Sequence, residues 1–224
     1  MTRKIIHMLL FLSGFIILSS KSCGPEADTN QAARLKAAQD STRMALKNEF
    51  ESEYLFEADL MVYGEKAKQK LLDFADYLTL YADKRIDTAF KQQVKEMLFR
   101  LFYRTDAPLS FSINPSEPVR GKNTLALLLE SIDASPYYAI EFKVAETKTI
   151  EPLHLETAGQ YTGQLRGRVT IRGISGNDTI LLNNAMHTVR IVTTRTSKQF
   201  GTGTPRMVWQ VFLDKTETDY TIAP

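Results

Sequence analysis

The spacing of hydrophobic residues changes once along this chain, and that change limits what it can fold into. Before Ser135-Pro136 most apolar positions recur with the period of amphipathic helices; after it they alternate with a period of two, as in strands with one buried face. Ala67, Leu71, Phe74, Ala75, Leu78, Tyr81 and Ala82 share one helical face after Gly64. A second stripe, Phe90, Val94, Met97, Leu98, Leu101 and Phe102, follows Asp87, whose carboxylate suits an N-cap. The turn Lys84 to Ile86 joins these two helices.

Thr105 to Pro108 ends the helical part, because a residue before proline avoids the helical region. Leu109, Phe111 and Ile113 alternate with serines as a short strand that runs into the turn Asn114-Pro115, and a brief helix is expected over Leu125 to Ile132. Tyr138, Ile140, Phe142 and Val144 make one strand face. Tyr161, Leu165, Val169 and Ile171 make another, with Gly163 and Gly167 on the same parity, which implies a bent strand or the close approach of a helix. Gly176-Asn177-Asp178 marks a turn before the apolar patch Ile180 to Leu182. Runs at His187 to Thr196 and Met207 to Leu213, separated by Gly201-Thr202-Gly203-Thr204-Pro205, complete a mostly antiparallel sheet.

Helices first, a short strand, a small third helix and then four long strands bending at glycines is an order that resembles the nuclear-transport-factor-2-like fold across about Glu53 to Thr216. The resemblance implies an α+β domain whose N-terminal helices pack inside a curved sheet, with Trp209 pointing inward from the last strand. The alternative is a generic α+β sheet with helices on one face. The last strand is apolar on both parities, so both its sides need cover. Because members of that family commonly dimerise through the outer sheet face, the resemblance makes Val208 and Phe212 a candidate dimer face. Its enzymes can use an aspartate with a histidine or tyrosine for proton abstraction. Asp76, Tyr77, Tyr81, Tyr138 and His187 are the residues here of those types, though tyrosines beside apolar neighbours on a helix ordinarily belong to the core.

Cys23 is the only cysteine, which excludes a disulfide framework and thiolate metal sites. It follows the apolar run Ile5 to Leu18, itself preceded by Arg3 and Lys4, the pattern of an export signal and a short run for a permanent span. The segment resembles a bacterial lipoprotein signal, in which the peptidase cuts before a cysteine that is then acylated. Ser20-Lys21-Ser22 is a relaxed form of the residues before that cysteine. It also meets the small-x-small rule of ordinary secretory cleavage, which would leave a free N-terminal thiol; an uncleaved anchor is the third alternative. Gly24 stands where an aspartate would signal inner-membrane retention, which favours the outer membrane, facing the periplasm. The expected organisation is a signal peptide over 1–22, a lipid-anchored tether and polar helix over 23–52, and one α+β domain over 53–224. Leu35, Ala38, Met44, Leu46 and Phe50 form a thin apolar stripe in the polar helix.

Net charge is only +2, but it is unevenly spread. From Glu26 to Asp87 there are 13 acidic and 9 basic residues, whereas from Thr157 to Leu213 there are 7 basic residues and one acidic, Asp178. Arg166, Arg168 and Arg172 share one strand face and are candidates for binding an anion or an acidic partner; equally, they can be a solvated sheet face that blunts edge pairing. Arg190 and Arg195 fall on opposite sides unless a bulge intervenes. His154 and His187 lack a second ligand at metal spacing, the Gly201 loop lacks the lysine and helix of a phosphate cradle, and no serine sits in a nucleophile elbow, so no metal, cofactor or catalytic residue is assigned. Nucleic acid is not an expected partner for an exported chain of such low net charge.

Three function classes follow. The favoured one is an exported, membrane-anchored, non-catalytic interaction or assembly module of the bacterial cell envelope, self-associating or bound to an envelope protein. The others are a periplasm-facing small-ligand-binding protein and a small isomerase or hydrolase using a cavity inside the sheet.

Overall fold

The computed structural model describes Lys36 and residues 53–113, 123–199 and 201–219. The signal, Cys23, nearly all of the tether and polar helix, and the turn Asn114-Pro115 lie outside the described residues. The chain divides into two compact units, residues 1–49 and 50–224, and the description below concerns the second. No described helix is long and apolar enough to cross a membrane.

The first described helix, α1 (Glu57–Ala82), begins well before Gly64, where the strong periodicity starts. Asp59 accepts the Phe56 N–H at 2.9 Å, and Glu57 adds a second carboxylate to the first turn, so capping and the helix dipole extend α1 through the glycine. Its buried face is the expected one from Ala67 to Ala82, with Tyr63 added. α2 (Thr88–Arg100) starts as expected at Asp87, which accepts the Phe90 N–H at 2.9 Å. Its buried stripe is narrower than the sequence implies. Val94, Leu98, Leu101 and Phe102 are buried, while Phe90 and Met97 are exposed, because α2 meets α1 along a single seam.

Leu109, Phe111 and Ile113 are buried on alternating positions, yet among the described residues this run pairs only through an isolated bridge from Leu109 to Asn123. α3 (Leu125–Ala134) follows, capped by the Thr124 hydroxyl. Four antiparallel strands then form a meander in the order β1 (Ala139–Thr157), β2 (Gln160–Ser175), β3 (Asp178–Lys198) and β4 (Arg206–Asp219). The Ile180 to Leu182 patch is part of β3 and not a separate unit, and Ile180 and Leu181 are exposed. The domain is α+β, with three helices packed against a curved four-stranded antiparallel sheet, as expected from the order of its elements.

Curvature comes from an unequal pairing. The partner of Ala139 on β2 is Ile174 and that of Thr157 is Gln160, with four register shifts between them, so β1 uses more residues than β2 over the same ladder. Glu146, in the first of these bulges, takes a positive φ of 53°. Opposite the bulges lie Gly163 and Gly167, and it is β1, not a helix, that comes close, through its backbone at Gly163 and first through the Val144 and Thr147 side chains at Gly167. A Cβ at Gly163 would sit 2.8 Å from the Glu151 carbonyl oxygen and 3.1 Å from the Leu153 nitrogen. The inner face so formed carries Ile140, Leu165, Ile171 and Ile191, each at most 1 % exposed, against Leu71, Leu78, Leu98 and Leu128 of the helices. Trp209 points into this core, edge-on to Tyr161 with ring centroids 5.5 Å apart.

Two substitutions test this assignment. Gly163→Ala forces backbone against backbone and is expected to lower stability by about 1–3 kcal/mol. Gly64→Ala, in a helix with nothing within 4 Å of the added carbon, is expected to raise it by about 0.5–1 kcal/mol. Urea unfolding of both variants with an unchanged m-value checks the pair.

Candidate functional site

One stripe of α1 turns from the core toward β4. Tyr63, Lys66, Lys70 and Asp73 follow at spacings of three and four residues, which stacks them along one side of the helix. They form a wall of a groove of about 860 Å³ whose facing wall is β4, from Val208 to Phe212. Arg100 and Phe102, at the end of α2, and Lys198, at the end of β3, also line it. The groove therefore sets four cations and a single carboxylate around a surface of aromatic and aliphatic side chains. Asp73 accepts from Gln69 at 2.9 Å, and the Lys66 ammonium lies 4.3 Å from the Tyr63 ring centroid. Burial, opposed by Asp73 and reinforced by Lys198, lowers the pKa of the Lys70 ammonium below the ordinary lysine value. An anion entering the groove would offset that cost.

The interior carries a polar network. His187 is completely buried, with its ring against Phe111 at a centroid distance of 4.5 Å. Its Nδ1 lies 3.2 Å from the Ser110 hydroxyl and 3.3 Å from that of Thr218. Thr216 accepts the Ser110 N–H at 2.8 Å, and the Thr218 hydroxyl donates to the Ser110 carbonyl at 3.0 Å. These bonds pin the 109–113 segment across β3 and β4, so the Ser110 and His187 pair is engaged in holding chain to chain.

A second network lies at a bulge. The pairing of β3 with β4 shifts between Val189 and Ile191, which turns Arg190 to Asp214. The Asp214 side chain is 2 % exposed and receives Arg104 at 3.0 Å and Arg190 at 3.3 Å, while Arg190 also makes two contacts of 2.7 Å with Glu156. The buried carboxylate is thus matched by two guanidiniums, as burial of a charge requires.

The residues singled out from sequence do not converge. Arg166, Arg168 and Arg172 lie on the sheet face away from the helices; Glu146 of β1 reaches Arg168 at 3.2 Å and Glu141 reaches Arg172 at 3.5 Å. Val208 is 7 % exposed within the single chain, and the Phe212 ring lies 6.1 Å from that of Tyr103. His154 is exposed, 3.5 Å from Glu151. Asp76 is exposed and Tyr138 half-exposed, with its ring under Arg85. The Tyr81 hydroxyl donates to Asp133 at 2.6 Å, and burial together with that bond raises its pKa above the ordinary phenol value. Among the described residues no cluster of His, Cys, Asp and Glu could hold a metal ion. The groove cations were not foreseen, since Lys66 and Lys198 are remote in sequence; the Tyr63, Lys66 and Lys70 spacing was the one available signal.

No family model matches the chain, and no curated protein does. Among solved structures it is similar to a scytalone-dehydratase-like protein of Novosphingobium aromaticivorans, 12 % identical over 74 % of this chain and 94 % of that one, with a TM-score of 0.34. It is also similar to a ketosteroid-isomerase-like protein of Erwinia carotovora, 17 % identical over 75 % of this chain and 100 % of that one, with a TM-score of 0.35. Neither likeness carries a reaction or a residue role to this chain.

Asp133 provides a pH test of the helical layer, since Tyr81 and Lys91 bind its two oxygens at 2.6 Å each and so connect all three helices. Burial would raise its pKa, but the bonds from Lys91 and Tyr81 outweigh that and lower it. A lowered carboxylate pKa adds stability above its unfolded value of about 3.9, and that stability is lost as pH falls through the folded value. Asp133 is half-exposed, so Asp133→Asn is expected to cost only about 0.5–1 kcal/mol at pH 7. The gap between variant and wild type should close as pH falls through the folded pKa of Asp133, as followed by thermal unfolding across pH.

Proposed function

We propose that this protein is a membrane-anchored, non-catalytic interaction or assembly module of the bacterial cell envelope, which binds its partner in the groove between α1 and β4. The observation that carries the binding half is the groove itself, open and lined by Lys66, Lys70, Arg100 and Lys198. Affinity for an anionic partner would follow from these cations, and apolar contact from the half-buried Phe212. The envelope half rests on the signal-like segment ending at Cys23.

A small anionic ligand with an apolar body is the second reading, favoured by the same mixture of cations and apolar side chains. An isomerase or hydrolase would need a base facing a cavity, and the completely buried His187 is bonded to hydroxyls of the fold. Binding through Arg166, Arg168 and Arg172 has less to recommend it, because Glu146 and Glu141 already engage two of the three. Self-association through Val208 and Phe212 would have to add to cover they already have.

Intact mass and membrane fractionation of the wild type and Cys23→Ala, expressed in a Gram-negative host, test the anchor. The expected wild type begins at Cys23, carries two or three acyl chains and sediments with membranes, whereas the variant lacks the acyl mass and is released. An unmodified, freely soluble wild type would overturn the anchored reading.

A further inference from the structure

We propose that residues 53–55 form a strap, latched to the sheet by the Tyr161 hydroxyl, which opens without unwinding α1 and alters the surroundings of Trp209 when it does. Leu55 is the buried point of this strap. It is 7 % exposed, between Tyr54 at 57 % and Phe56 at 73 %, and it belongs to the core cluster. The Leu55 N–H donates to the Tyr161 hydroxyl oxygen at 3.1 Å, and that hydroxyl donates to the Leu55 carbonyl at 3.5 Å. One phenol oxygen thus holds both backbone groups of a single residue, across 106 positions of the chain.

The start of α1 does not depend on this latch. Asp59 takes the Phe56 N–H at 2.9 Å, and the Phe56 carbonyl accepts from the Leu60 N–H at 3.0 Å, so the first turn closes on itself one residue after Leu55. Further along, α1 is fixed by Leu71, Phe74 and Leu78 in the core and by the Thr79 hydroxyl, which accepts the Phe142 N–H at 2.9 Å. Opening the strap therefore releases one leucine side chain and the bonds of one hydroxyl, whereas global unfolding gives up the whole core. Segments of such low local cost open on their own, far more often than the fold as a whole.

The latch ends on an aromatic cluster. The buried Tyr161 ring lies edge-on to Trp209 at a centroid distance of 5.5 Å, and the Tyr63 hydroxyl donates to the Trp209 carbonyl at 3.4 Å. The strap, β2, β4 and α1 thus meet at Tyr161 and Trp209. With Leu55 withdrawn, the Tyr161 hydroxyl exchanges its backbone partners for water, beside the ring that packs on Trp209. A pull on the chain before Glu53 reaches Leu55 before it reaches α1, so the strap yields ahead of the helix. Trp209 also lines the groove between α1 and β4, so an open strap changes one wall of it; the latch itself stands without the groove reading.

Amide hydrogen exchange of the full chain, read by NMR at Leu55, Tyr63 and Leu71, tests the latch. In the wild type, protection at Leu55 is expected to be at least about a hundredfold below that at Leu71 and insensitive to low urea, with Tyr63 better protected than Leu55. Tyr161→Phe, which keeps the ring and removes the hydroxyl, should lower protection at Leu55 by a further factor of about ten. Leu55→Gly combined with Tyr161→Phe removes both side chain and bond and should leave the strap predominantly open, with Tyr63 still protected. Trp209 is the single tryptophan, so acrylamide quenching of its emission should rise in the double variant above the wild type and above Tyr161→Phe alone. Equal protection at Leu55 and Leu71 in the wild type would mean that the strap opens only with the whole fold, and would overturn the proposal. Unchanged protection at Leu55 in Tyr161→Phe would overturn the hydroxyl as its latch, and loss of Tyr63 protection together with that of Leu55 would overturn opening apart from α1. Quenching in the double variant no greater than in the wild type would overturn the link to Trp209. None of these measurements involves a groove ligand, so the groove reading stands or falls apart from them.

Discussion

The surplus of β1 residues over their β2 partners is the constraint on which the rest of the domain depends. A sheet with equal strands would offer the helices a gently twisted surface; four register shifts within one ladder bend it over them. The bend is possible only because Gly163 has no side chain where the Glu151 carbonyl crosses. Once bent, the sheet faces α1 along its length, and the Thr79 hydroxyl joins that helix to Phe142 at the sheet margin. The groove on the opposite margin is the other result of this asymmetry, since α1 packs mainly on β1 and more lightly on β4.

Much of this architecture was legible in the residues because burial imposes a simple period on each element. The α1 face from Ala67 to Ala82, the Asp87 cap and the odd parity of β2 from Tyr161 to Ile171 all follow from local pattern. Phe90 and Met97 misled because periodicity shows which side could be buried, not how wide the neighbouring element is. Leu109 to Ile113 misled for a related reason: alternate burial arises wherever an extended segment crosses a core, with or without a strand to pair with. The start of α1 depends on one bond from Phe56 to Asp59, too local to register as a pattern.

The candidate site was less legible, and the reason is distance along the chain. Lys66 and Lys70 look like the solvated side of an amphipathic helix until β4 is set beside them, and nothing near Lys198 in sequence indicates that it ends near α1. Arg166, Arg168 and Arg172 attracted attention because they repeat at strand spacing, yet they face carboxylates of β1 across an ordinary ladder. Clustering in sequence measures proximity along one element, whereas a groove is made by several. Arg190 shows the converse case, since the bulge beside it decided which side it would occupy.

The bonds of β4 to the 101–110 segment have a consequence for the order in which the molecule can form. Arg104 meets Asp214, Leu101 and Tyr103 meet Leu213, and Ser110 meets Thr216, all across more than a hundred residues. Contacts so remote close late, because the loop between them must be ordered first. Until the last strand emerges from the ribosome, the segment after α2 has no β4 to bond to and Asp214 is not there to receive Arg104. Completion of this fold is therefore tied to the synthesis of β4, the strand that the segment after α2 needs as its partner.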